Sequence, residues 1–213
     1  MMSPANGHPL GPESDRMSSH DQTAAAYDAL ATASDTPGGA FLEPLEAGID
    51  HVRGPDSAAV ILEYGDYECP YSRRAFREIQ RVEQAMKGGV RFAFRHYPLV
   101  QIHPHALAAA AAAEAASNQD RFWEMHETLF HRQKHLADSD LRRYARELGL
   151  DVARFDQDVS SSSVLSRVGR DVGSGRQSGE VHGTPTLFIN GVVHRGDYDA
   201  ATLIEAINAG TTP

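Results

Sequence analysis

AAVILEYGDYECPYS, residues 58–72, is the stretch on which the fold turns. Ala58–Tyr64 is a short apolar run containing Val60 and Ile61, closed by Gly65-Asp66, and reads as a buried strand. Pro70 suits the first turn of a helix, where a missing N–H costs nothing. That helix is predicted to run to about Met86, with Phe76, Ile79, Val82 and Met86 on one face and Gly88-Gly89 ending it. In Val90–Arg95, Val90, Phe92 and Phe94 alternate with Arg91, Ala93 and Arg95, the period of a second strand. Strand, helix, strand in this order predicts a parallel pair joined by a right-handed crossover.

Downstream the pattern turns helical. His105–Ala116 is dominated by alanine, and Arg121–His131 places Phe122, Met125, Leu129 and Phe130 at helical spacing. Leu141–Leu148 stops at Gly149, Asp151 can cap a further helix to about Val159, and Val164–Gly175 forms another. After Gly179 the period returns to that of strands. Thr186–Ile189, Asn190-Gly191 and Val192–His194 read as a tight hairpin, and Asp199–Asn208 as a closing helix. The sum is an α/β fold, a four-stranded mixed sheet flanked by helices, with an all-helical insertion over about 103–178.

Of the 213 residues, 41% are hydrophobic and the formal net charge is −9. The first 56 residues hold nine acidic and two basic side chains, −7, while the remainder holds 20 and 18, −2. We read residues 1–48, rich in Gly, Pro, Ser and Ala, as a disordered acidic arm with at most a short helix around 21–31, and 49–213 as the folded domain. The acidic balance argues against non-specific nucleic-acid binding. No apolar run approaches the roughly 20 residues of a membrane span, and no secretory signal is visible, so a cytoplasmic protein without membrane contact is expected.

The chain has one cysteine, which excludes an internal disulfide, a cysteine-rich zinc site and an intramolecular dithiol couple. That cysteine, Cys69, lies between a strand and the start of a helix, where free N–H groups and the helix dipole favour an anionic, nucleophilic sulfur. Ser72, one turn on, is placed to donate a hydrogen bond to it. His131 and His135 stand at i, i+4 but read as surface residues, and no metal site is expected. Trp123 reads as core of the helical subdomain.

Glu63-Tyr-Gly-Asp-Tyr-Glu-Cys-Pro-Tyr-Ser72 resembles the active-site strand and loop of the DsbA-like thioredoxin-fold oxidoreductases, which normally read C-P-x-C. Val181-His-Gly-Thr-Pro-Thr-Leu-Phe-Ile-Asn-Gly191 resembles the family's G-[TV]-P-[TS] loop, in which the proline is cis and faces the active-site cysteine. Arg95-His-Tyr-Pro-Leu99 and His103-Pro104 resemble bacterial members, and the likeness extends from about Asp50 to Asn208. It implies that Cys69 forms mixed disulfides, that Pro70 opens the helix behind it, and that Glu63 is the family's buried acid near the thiol. It also implies that Thr184, beside Pro185, offers its backbone to an extended substrate, with Tyr71 and His182 nearby.

Ser72 departs from the pattern. A serine cannot attack a mixed disulfide, so release needs an external thiol such as glutathione or another low-molecular-weight thiol. No tightly bound cofactor is expected, and the partners are protein or peptide thiols and disulfides. Two alternatives stand beside this monothiol oxidoreductase. One is a non-catalytic thioredoxin-like peptide-binding module. The other is a glutathione-dependent transferase or isomerase, whose group typically carries serine at the first motif position, where this chain has cysteine.

Overall fold

The computed structural model describes residues 42–46, 48–56 and 58–210. Its strands are β1 (His51–Arg53), β2 (Ala59–Gly65), β3 (Val90–His96), β4 (Thr186–Ile189) and β5 (Val192–Val193). Its helices are α1 (Pro70–Met86), α2 (Ala106–Ser117), α3 (Phe122–His131), α4 (Asp138–Glu147), α5 (Val152–Asp158), α6 (Ser162–Gln177) and α7 (Ala200–Gly210). α1 crosses between β2 and β3, which pair in parallel from Ala59↔Val90 to Gly65↔His96. β4 lies antiparallel on the other side of β2, and β5 folds back on β4 through Asn190 and Gly191, both at positive φ. Positive φ at both central residues is what a tight hairpin turn requires.

The sheet has five strands, in the order β1-β3-β2-β4-β5, where the sequence predicted four. The added strand, β1, is only three residues long and pairs antiparallel with β3, His51 against Phe94. None of its residues is fully buried and Gly54-Pro55 ends it at once, so it has no local signature. Its existence depends on pairing with residues some forty positions away.

Both sheet faces are covered. Ile61, Phe92, Phe94, Leu187 and Ile189 pack with Phe76, Ile79 and Val82 of α1, Phe130 of α3 and Leu203 of α7. On the other face Leu62, Tyr64, Ala93 and Phe188 form a second cluster with Val181. The two-faced burial overturns the simple alternation expected of β3: Arg95, on its polar phase, is completely buried. Arg95 is held there by Asp50 at 2.8 and 2.9 Å, by Tyr64 Oη at 2.9 Å, and by the carbonyls of Glu43 and Pro44. Residues 42–46 fall within the arm on the sequence reading, yet Leu42 and Leu45 pack against the second cluster. Residues 1–41 of that arm, with the helix expected around 21–31, lie outside the described residues.

In the insertion, α2 is buried on nearly every side. Its alanines let neighbouring helices approach closely, and α3, α4, α5 and α6 all pack against it. Trp123 is partly buried against the main core, with Arg53 over its ring at 4.6 Å. Among the described residues, no helix is long and apolar enough to cross a membrane.

Candidate active site

β2 ends at Gly65, and five residues later α1 begins; Cys69 occupies the N-cap between them with extended backbone angles. A side chain at Gly65 would place its Cβ 2.4 Å from the Phe94 ring and 2.9 Å from Glu63 Oε1, so only glycine fits there. Cys69 N–H donates to the Asp66 carbonyl, and Pro70 supplies the first helical position without a donor. The cysteine is 3% exposed, and its Sγ donates to the Thr184 carbonyl oxygen at 3.2 Å. The Thr184–Pro185 peptide is cis and leads directly into β4. The sequence motifs around 69 and 185, more than a hundred residues apart, therefore meet at the end of the sheet.

Ser72 does not play the expected part. It is buried, and its Oγ accepts the Asp66 N–H at 3.2 Å, while the Cys69 sulfur bonds across to Thr184. The reason lies in the loop: the turn from Asp66 to Cys69 brings the Asp66 amide over the first turn of α1, where it needs an acceptor.

Glu63 is completely buried. It stands on the inner face of β2 between Phe94 and Leu187 of the adjoining strands, and neither carboxylate oxygen has a hydrogen-bond partner among the described residues. Burial alone pushes its pKa up to about 8. Its register partner Leu187 is two residues beyond Pro185, which sets the acid close to the thiol loop.

The loop carrying Cys69 is fixed by residues outside the two motifs. Buried Asp66 accepts from Glu68 N–H at 2.7 Å and Leu99 N–H at 2.9 Å, and pairs with His103 Nδ1 at 2.8 Å. Glu68 meets His105 through its backbone N–H and Nδ1. Gln133, just past α3, donates from Nε2 to the carbonyls of Tyr67 and Cys69 at 2.7 and 2.9 Å. In the sequence His103 stands in a family-like segment and beside His105 as a weaker candidate, without its link to Asp66; Gln133 carries no signal there and reaches the site through the packing of the insertion. Tyr71 is 63% exposed beside Cys69, and Ile102, in the turn that Asp66 anchors, is 68% exposed. His182 is exposed and makes no hydrogen bond to the described residues. His131 packs edge-on against Phe76, and among the described residues neither it nor His135 joins a group of three potential metal donors.

The chain belongs to the thioredoxin family, whose sequence model matches residues 46–209. Its fold is that of the DsbA-like branch. A thioredoxin-like oxidoreductase from Silicibacter pomeroyi DSS-3 superposes with a TM-score of 0.68 at 26% identity, over 76% of this chain and 92% of that one. BdbD from Bacillus subtilis gives 0.67 at 23% identity, over 81% and 98%. Among curated relatives, the Na(+)/H(+) antiporter NhaA 1 of Mycolicibacterium vanbaalenii is 46% identical over 173 residues, which is 80% of this chain. The match spans only 28% of the antiporter's length.

Proposed function

We propose that the chain exchanges thiols and disulfides by a monothiol route, with Cys69 as nucleophile. The observation that carries this reading is the Cys69 sulfur at the N-terminus of α1, 3.2 Å from the Thr184 carbonyl beside Pro185, in a chain with serine at position 72. The Cys69 thiolate attacks one sulfur of a protein or peptide disulfide. A bond forms between Cys69 and that sulfur, the original S–S bond breaks, and the other sulfur leaves as a thiolate that takes a proton from solvent. An external thiol such as glutathione then attacks the mixed disulfide, leaves with the substrate sulfur and returns Cys69 to the thiolate. One disulfide replaces another, so the protein gains and loses no electrons over the cycle.

The surrounding groups suit these steps. At neutral pH Glu63 keeps its proton, so it adds no negative charge while anionic sulfur forms nearby. The strand edge at Thr184 can pair with the backbone of an extended substrate. Tyr71 and Ile102 offer apolar surface to the residues flanking a substrate cysteine. The requirement for an external thiol suits a compartment with a reduced thiol pool, and we assign the protein to one.

The test is turnover of a glutathionylated peptide with glutathione as second substrate. The wild-type rate should rise with glutathione concentration and vanish in Cys69→Ser. Equal rates for the two proteins would contradict the reading, and equal peptide affinity with no turnover would identify a binding module instead.

A further inference from the structure

A second cluster of reactive side chains lies apart from the thiol loop. His51 of β1 pairs in register with Phe94 of β3, and His96 follows two residues later, so both imidazoles leave the same face of the sheet. α2 lays Glu114 over that face. His51 Nε2 and His96 Nε2 both contact a single oxygen, Glu114 Oε1, at 2.7 and 2.8 Å. The three donor atoms all lie within 4.8 Å of one another. Aromatic walls fix the rings: Phe122 stacks on His51 at 3.4 Å, and Phe94 meets His96 edge-on at 5.4 Å. The His51 and Glu114 side chains keep 11% and 7% of their surface, which leaves the cluster an opening to solvent.

We propose that His51, His96 and Glu114 form a binding site for a divalent transition metal of the zinc type. Two imidazoles and a carboxylate are a ligand set that zinc accepts, with a fourth position left for water. At Zn–N and Zn–O lengths of about 2.0–2.1 Å, neighbouring donors in a tetrahedral site stand about 3.3 Å apart. Each Nε2–Oε1 separation therefore needs to open by only about half an ångström. His96 Nδ1 is buried without a partner among the described residues. A metal-bound histidine usually donates this second N–H, and its lack lowers affinity about 10–100-fold relative to a fully buttressed site. The ion would tie the edge strand and the first helix of the insertion to the end of β3.

The test uses the full chain carrying Cys69→Ser, which removes the thiol as a competing ligand, titrated with zinc chloride in a calorimeter. The expected result is one saturable site lost or weakened at least tenfold in both Glu114→Gln and His51→Gln, with a rise in melting temperature on zinc addition. His131→Gln should leave binding unchanged. Circular dichroism establishes that each variant is folded, and His51→Gln, at the partly exposed edge, is the safer of the two. No saturable binding by the parent chain, or folded Glu114→Gln and His51→Gln variants that bind zinc as tightly as the parent, would overturn the site.

Discussion

Glu63 folds with its proton on. The unfolded chain ionises this carboxyl near 4.5 and the folded chain near 8, so between those values the unfolded state binds fewer protons. Stability is therefore lost as pH rises through that window and changes no further above it. Glu63→Gln removes the penalty. We expect the variant to match the wild type near pH 4.5 and to exceed it by a few kcal/mol at pH 8, measured by urea unfolding across the range. A constant difference at all pH values would mean that the acid ionises normally. The placement of Glu63, Cys69 and Pro185 at one end of the sheet was legible in the sequence because they sit in two short motifs. The hydrogen bond of Ser72 was not, since it depends on where the Asp66 amide falls after the loop has folded.

The elements around the site work as two loops bound at one carboxylate. Asp66 holds its own loop through Glu68 N–H and the turn after β3 through Leu99 N–H and His103. Asp66→Ala should cost about 2–4 kcal/mol, because it leaves buried donors without an acceptor. It should also speed amide exchange at Glu68 and Leu99 while sparing the middle of β3; uniform exchange across the domain would point to general loosening instead. Helices and long strands were readable because their periods are local. β1 was missed, since three half-buried residues beside Gly54-Pro55 carry no period. Likewise His51, His96 and Glu114 have no ligand-like spacing, and only the pairing of β1 with β3 and the packing of α2 bring them together.

At the scale of the whole molecule, one buried cation joins the leading segment to the sheet. Arg95 bonds Asp50, Tyr64 and the carbonyls of Glu43 and Pro44, and Arg167 of α6 reaches the Ile49 carbonyl. Arg95→Met leaves the Asp50 carboxylate buried without its main partner and should cost about 3–5 kcal/mol. Thermal unfolding checks this, and a loss below 1 kcal/mol would show that the segment is held by other contacts. Alternation places Arg95 on the polar phase of β3, and no local pattern reveals that Asp50 returns to meet it. Beyond residue 56 the formal charge is only −2, from 20 acidic and 18 basic side chains. The central claim is that Cys69 exchanges disulfides without a resolving partner in its own chain. Intact mass measurement after brief exposure to oxidised glutathione tests it most directly. The account predicts a single glutathione adduct on wild type that persists until free thiol is added, and a Ser72→Cys variant that sheds the adduct unaided by closing a 69–72 disulfide. A wild-type chain that takes up no adduct, or a Ser72→Cys chain that keeps it as long as wild type, would contradict the account.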